Sequence, residues 1–327
     1  FTRWRFAGRI SEPHVRTRWA DRVMPQPTLR IATRGSALAI WQASHVSGLI
    51  NTAVPGLNIE VVVVETQGDK DLETPISELG GKGIFAKEVQ LAVLEGRADI
   101  AVHSAKDLPA IPIDGLHLAA ITERGDPRDA LVGATLGSME PGATVATGSK
   151  RRRVQLSAIR PDLNFIDLRG NIASRLSKVP DGGAVVMAAV ALRRLQLADH
   201  LSEVLSVDEV VPQVGQAALA VECRTEDEPL VNALKLIEDP GSRRCVDAER
   251  AFLAELGGDC TLPVGAHGVL LDSIGEGDGS GQGVRLSAIL ANGETASAHI
   301  ARARQVGDDP VALGKSVARD LRVAIDG

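Results

Sequence analysis

Residues 28–49, TLRIATRGSALAIWQASHVSGL, decide the fold class. Residues 29–32 have the length and apolar character of a short buried strand. Thr33-Arg34-Gly35-Ser36 then turns the chain, and Leu38, Trp41, His45 and Leu49 recur on one face at helical spacing. Pro55-Gly56 ends that helix, and the β-branched run at 59–65 predicts a second buried strand. A flexible Gly80-Gly81-Lys82-Gly83 loop leads to a helix with Phe85, Val89, Ala92 and Val93 on one side, then to a strand at 99–103. This β-α-β-α order predicts a mainly parallel sheet. The rhythm restarts with a strand at 143–147, a helix at 149–159, a strand at 163–167, a helix at 172–179, a strand at 184–188 and a helix through 197. After Pro240-Gly241 the style changes. A helix at 246–256, alternating strand segments at 284–290 and 295–303, and a helix at 310–325 predict a smaller α+β unit.

Composition narrows the function. Hydrophobic residues make up 44% of 327, but there are five Phe, three Trp and no Tyr, so the cores must be built from Ala, Val, Leu and Ile. Platforms that stack single-stranded nucleic acid want exposed aromatics, which this chain lacks. The net charge is −6, and residues 1–26 hold six Arg against Glu12 and Asp21, so the body is more acidic than the whole. That argues against nucleic acid as a partner without forbidding a local anion pocket. The first 26 residues have no apolar core of a signal peptide and are expected to be a disordered extension. The apolar run at 184–192 is too short to span a bilayer. Cys223, Cys245 and Cys260 form no disulfide framework and no C-x-x-C knuckle, which favours a reducing cytoplasm. The seven His have no ligand spacing, so no metal site is expected. His45, on an apolar helix face, is expected to be a core histidine, and Cys223 and Cys245 to be structural.

Four segments could carry chemistry. Thr33-Arg34-Gly35-Ser36 puts a guanidinium and a hydroxyl at a helix N-terminus, an anion site or simply a cap with Ser36. His103-Ser104-Ala105-Lys106-Asp107 follows a buried strand, where open α/β sheets place ligands. Asp107 there can stabilise a cationic nitrogen centre or exchange its proton, or it can be a local ion pair with Lys106. Thr147-Gly148-Ser149-Lys150-Arg151-Arg152-Arg153 runs cations into a helix N-terminus, where the dipole disfavours them. A bound anion would explain that, and so would a solvated face. Arg169-Gly170, Arg175 and Arg193-Arg194 repeat the motif at later strand ends, suggesting one cleft for a multiply charged anion. Gly257-Gly258-Asp259-Cys260-Thr261-Leu262-Pro263 presents a thiol on a loop, for covalent attachment or as an unreactive residue.

In this order the segments resemble the porphobilinogen deaminase family. The carriers are RIATRGSALAIWQA, ETQGDKDLETP, GGKGIFAKE, RADIAVHSAKDLP, ERGDPRDALV, SKRRRVQL, LRGNIASRLSKV, QAALAVECR and GGDCTLPVGA. The resemblance implies two periplasmic-binding-protein-like α/β domains plus a smaller α+β C-terminal domain. Residues 27–122 with 217–238 would form the first, 123–216 the second and 239–327 the third. It implies stepwise deaminating condensation of four porphobilinogen molecules into hydroxymethylbilane on a dipyrromethane cofactor, held through Cys260. Asp107 and Lys106 would be catalytic. Thr147, Ser149, Arg151, Arg152, Arg169 and Gly170, with Lys106 and Asp107, would bind the cofactor. Arg34, Ser36, Arg175 and Arg194 would bind substrate, under a mobile loop with Lys82 and Phe85. The expected enzyme is monomeric and binds neither membrane nor nucleic acid. Lys150, Arg153, Gly183 and Ala191 depart from the usual family pattern. The alternative is a non-catalytic anion- or solute-binding protein of the same two-lobed fold, which would need neither Cys260 nor the third unit. A nucleotide-binding transferase would want a Walker loop or G-x-G-x-x-G, and neither occurs.

Overall fold

The computed structural model describes residues 28–66, 86–258, 263–271 and 283–327. The predicted N-terminal extension, Lys82, Phe85 and Cys260 lie outside them. The chain first lays down β1 (Thr28–Arg34), α1 (Ala37–Ala53), β2 (Asn58–Val64), α2 (Lys87–Leu94), β3 (Ile100–Ser104) and β4 (Leu116–Ile121). It crosses over through residues 122–128 and builds a second unit. This unit comprises β5 (Asp129–Val132), β6 (Thr144–Ala146), α3 (Lys150–Ile159), β7 (Asn164–Ile166), α4 (Ile172–Leu176), β8 (Ala184–Ala188), α5 (Ala189–Arg194) and β9 (Glu203–Val204). Residues 205–218 return to the first unit, where β10 (Leu219–Arg224) enters its sheet.

The two sheets are built alike. Their strand orders are β2-β1-β3-β10-β4 and β7-β6-β8-β5-β9. In each, four of the five strands run the same way, three of them hydrogen-bonded in parallel as the β-α rhythm predicts. The fourth strand is antiparallel and reaches its place across the junction: β10 between β3 and β4, β5 between β8 and β9. Two crossovers therefore join the lobes, and the short apolar run LAVECR gave no local sign that it closes the first sheet. Hydroxyl and amide caps start several of the helices. Ser36 accepts from Ala39 N, Ser149 from Arg152 N and Asn171 from Ser174 N.

The buried face of α1 is Ala39, Gln42, Ala43, Val46 and Ile50, rotated from the predicted Leu38/Trp41/His45/Leu49 stripe. Small residues can approach the sheet closely, so they take the inner face. His45 is consequently not a core histidine. It is exposed and stacks on Trp41, with ring centroids 5.0 Å apart.

α6 (Glu228–Leu234) closes the first unit. The third unit is a meander of β11 (Val264–Leu271), β12 (Gly283–Ala291) and β13 (Ile300–Gly307) packed on α7 (Pro240–Glu255) and α8 (Pro310–Asp326). Phe252, Leu286, Val317 and Leu321 sit at its core. The last strand begins later than predicted because residues 292–299 are a turn, closed by Asn292 N to His299 O and His299 N to Asn292 Oδ1. Among the described residues, no helix is long and apolar enough to cross a membrane.

Candidate active site

β3 delivers its C-terminal end into a single 3-10 turn, Ala105–Asp107. That turn projects Lys106 and Asp107 where the first lobe faces the second. The loop after β1 lies beside it, and Thr33, Arg34, Ser36, Gln42, His103, Ser104 and Asp107 line one cavity. Gln42 Nε2 donates to Ser104 Oγ at 2.7 Å, tying α1 to the end of β3. Ser36 caps α1 with its hydroxyl, as the cap reading expects, and also lines the cavity.

The second lobe presents its arginines from the ends of β6 and β7. Arg151 and Arg152 are buried, and their partner is internal. Asp129, fully buried at the start of β5, sits 2.8 Å from Arg151 Nη1 and 2.7 Å from Arg152 Nη2. The two guanidinium groups hold its carboxyl far below the usual carboxylate range, against the opposing effect of burial. The anion that makes cations tolerable at this helix start is therefore, in the first instance, a residue of the chain. Arg153 pairs with Asp167 and Lys150 with Glu294, so these two departures from the family pattern serve surface ion pairs.

Electrostatics nonetheless leave the cleft cationic. Burial pushes Lys106 down to about 8, opposed by Asp107, with Arg152 and Arg175 also pushing down and Asp129 pulling up. Arg175 is lowered to about 10 by burial, then by Arg152, with Asp107 opposing and Arg169 and Arg34 adding to the depression. These mutual effects place Lys106, Arg152, Arg169, Arg175 and Arg34 in one field with Asp107. Arg151 Nη2 and Arg169 Nη1 are buried and find no hydrogen-bond partner among the described residues. Unsatisfied buried guanidinium N–H groups are costly and mark a place for an acceptor.

Arg194 stands apart from that cluster. Its guanidinium lies 5.2 Å above the Trp41 ring and donates to Ala217 O at 2.7 Å, while burial lowers its pKa to about 10. Arg193 instead pairs with Asp126. His103 faces Glu222, 3.2 Å away, and Gln90 donates to the same carboxylate, so the ring serves the sheet interior. Cys223 and Cys245 are buried free thiols pushed up by burial to about 12 and about 11. Such thiols are inert. Among the described residues, no group of three or more His, Cys, Asp or Glu could hold a metal.

The described residues on either side of Cys260 pack against the segment that follows Asp107 and against the Arg151 side chain. A Cβ on Gly258 would stand 3.5 Å from Ala110 Cβ, just past Asp107, and Arg250 Nη2 donates to Pro109 O at 2.9 Å. On the other side, a Cβ on Gly265 would stand 3.1 Å from the Arg151 side chain.

A profile described as "Porphobilinogen deaminase, dipyromethane cofactor binding domain" matches residues 29–232, and one for the C-terminal domain of the same enzyme matches 243–322. The chain belongs to the porphobilinogen deaminase family. It is 43% identical over 249 residues to a porphobilinogen deaminase of Geobacter metallireducens, covering 75% of this chain and 78% of that protein. It is 42% identical over 299 residues to that of Xanthomonas euvesicatoria, covering 90% and 95%. A nutrient-binding protein from Burkholderia cenocepacia, solved with methionine, superposes at TM-score 0.38 with 13% identity, covering 70% of this chain and 96% of that one. As a porphobilinogen deaminase the chain is a transferase of tetrapyrrole biosynthesis. It condenses four porphobilinogen molecules into hydroxymethylbilane on a dipyrromethane cofactor.

The residues present fit that cofactor. Each of its pyrroles carries two carboxylates, and Lys106, Arg151, Arg152, Arg169 and Arg175 outnumber Asp107 and Asp129, with unsatisfied N–H groups among them. Asp129 itself, Gln216 and Arg124 had no role assigned from sequence, although all three lie inside family segments quoted above. For Asp129, the available signal was a carboxylate directly after Arg128 in ERGDPRDALV, at the head of a short apolar run.

Proposed function

We propose that Asp107 is the catalytic carboxylate of hydroxymethylbilane synthesis in this chain and that Lys106 is the cation that works beside it. What carries this is the convergence of the Lys106-Asp107 turn from one lobe with Arg152 and Arg175 from the other. When the aminomethyl C–N bond of porphobilinogen breaks, the nitrogen leaves as ammonia with the bonding pair, and positive charge spreads over the pyrrole. A fixed carboxylate stabilises that charge in a partly desolvated cleft. The substrate's acetate and propionate groups require cations, which Arg34, Arg175 and Arg194 supply with the Ser36 hydroxyl, and Lys82 and Phe85 are the further substrate-binding residues that the family resemblance implies.

The dipyrromethane would be held by Arg151, Arg152 and Arg169 with Thr147, Ser149 and Gly170, and by Lys106 and Asp107, and would be joined to Cys260. When bound it supplies the nucleophilic pyrrole carbon from which the chain grows. The proximity of Gly258 to Ala110 and of Gly265 to Arg151 supports Cys260 as the attachment point. The burial of Cys223 and Cys245 supports it too. Residues 27–122 with 217–238, 123–216 and 239–327 act as the three domains of a monomeric, cytoplasmic enzyme.

The test is intact mass of the purified protein and of Cys260→Ser. Wild type should carry an addition equal to two pyrrole units, and the variant should carry none and turn nothing over. A pyrrole adduct retained in Cys260→Ser, on Cys223 or Cys245, would overturn the assignment.

A further inference from the structure

We propose that Gln216 is a positioning residue of the reaction: its carboxamide spans the junction of the two lobes, holding the Lys106 ammonium beside Asp107 and linking it to the carboxylate that seats Arg151 and Arg152. The proposal rests on the roles of Lys106 and Asp107 given above. Gln216 is fully buried. Its Oε1 accepts from Lys106 Nζ at 3.3 Å, and its Nε2 donates to Pro127 O at 2.7 Å and to Asp129 Oδ1 at 2.8 Å. Lys106 can only donate, and a carbonyl and a carboxylate can only accept, so the reversed amide would break all three bonds. The carboxamide is thus matched to a cation on one side and an anion on the other.

The backbone around it is held just as closely. Gly215 has φ +70°, and a Cβ there would stand 2.9 Å from the Ala105 carbonyl carbon and 3.0 Å from Lys106 N. Only glycine lets the return crossover touch the catalytic turn this closely. Ala217, on the other side, keeps φ +73° without being glycine. Arg194 Nη2 grips its carbonyl, and Arg124 Nε donates to Gln216 O at 2.8 Å. Gln213 Nε2 donates to Lys106 O at 3.3 Å, a second tie between the crossover and the turn. Backbone strain of this kind persists where the surroundings over-determine it, which is characteristic of working sites.

The consequence is electrostatic. The groups that act on the Lys106 ammonium are Asp107 on its own turn, Arg152 on α3, Asp129 on β5 and Arg175 on α4. Two cations oppose it and two carboxylates favour it. Gln216 adds a neutral acceptor that favours the charged form, and as a neutral group it leaves the cationic surplus for substrate carboxylates intact. Removing that acceptor favours the neutral amine, so a rate that needs the ammonium is lost at lower pH.

The test measures kcat and KM for porphobilinogen against pH for the loaded wild-type enzyme, Gln216→Met, Gln216→Asn and Lys106→Arg. Wild type should lose kcat on the alkaline side, as the Lys106 ammonium gives up its proton. Lys106→Arg should lack that limb, because guanidinium stays charged. Either Gln216 variant should move the limb down by about one pH unit, the size expected when a hydrogen bond to a charged donor is lost, with KM changed less than kcat. In wild type labelled with 15N-glutamine, one carboxamide pair should shift with the same midpoint as the limb. A limb that Lys106→Arg abolishes but that no folded Gln216 variant moves overturns the proposal alone. Absence of any glutamine carboxamide titrating with the limb does the same without a variant. A limb that Lys106→Arg leaves in place overturns the role of Lys106 and this proposal together.

Discussion

Replacing Arg124 by Met removes the cation at the meeting point of both crossovers and the third unit. Arg124 lies in the outgoing crossover and donates to Glu249 on α7 at 2.5 Å and 3.2 Å. Glu249 has no solvent exposure, and it also accepts from Gly215 N and Gly268 N, both at 2.7 Å. The two amides would remain in the variant, but the carboxylate would be buried without a counter-charge. Breaking a buried pair from one side typically costs about 3–5 kcal/mol. At roughly 2 °C per kcal/mol for a chain of this size, the melting temperature should fall by about 6–10 °C. Glu249→Gln should also destabilise, because the guanidinium is then nearly enclosed without its partner. The double variant Arg124→Met/Glu249→Gln should lose less than the sum of the singles, with a coupling of about 0.5–3 kcal/mol. Calorimetric melts on preparations matched for pyrrole loading by intact mass read all three. Arg124 also holds the Gln216 carbonyl, so its loss should lower kcat beyond what the melt alone would suggest. Melting of Arg124→Met within about 2 °C of wild type, or strictly additive singles, would refute the reasoning.

Asp107→Ala should lower single-turnover ammonia release by about 10²–10³-fold, with Asp107→Glu retaining part of the rate; near-normal release from the Ala variant would remove Asp107 from the chemistry. Arg152→Leu should leave Asp129 with Arg151 as its remaining guanidinium and should cut pyrrole loading, read with an aldehyde reagent after acid denaturation; full loading would show that Arg152 serves the fold alone. In the folded protein at pH 8, alkylation mapped by mass spectrometry should be slow at Cys223 and Cys245, since burial pushes both thiols up, to about 12 and about 11; fast labelling would contradict their packing. Gly183→Asp should melt well below wild type, because a Cβ there would stand 2.0 Å from Thr144 O, and such overpacking costs about 1–3 kcal/mol or more; an unchanged melt would show that β6 and β8 can part freely.

Much of the molecule was legible in one dimension because its causes are local. Strand, turn and helix follow one another in residues 28–53 because backbone preference and hydrophobic period act over a few residues. The cap at Ser36 follows for the same reason. The segments around Asp107 and Cys260 are contiguous, so their resemblance to a family needs no tertiary information. Which face of α1 is buried was different: period alone chose the larger side chains, whereas close packing against the sheet chose Ala39, Ala43 and Val46 and left His45 outside. The antiparallel strand in each sheet had no local signal, since a short apolar run does not say which lobe it will join, and the return of 217–238 to the first lobe was expected only from the family resemblance. Above all, the sequence alone displayed a row of arginines without their counter-charge. Arg152 finds Asp129 23 residues away, Arg124 finds Glu249 125 residues away, and Lys106 finds Gln216 110 residues away. A buried charge needs a partner at hydrogen-bond distance, but the chain separation of that partner is set only by how the crossovers fold back. That is why residue types announced an anionic ligand, and only the tertiary structure decided which cations the protein neutralises itself.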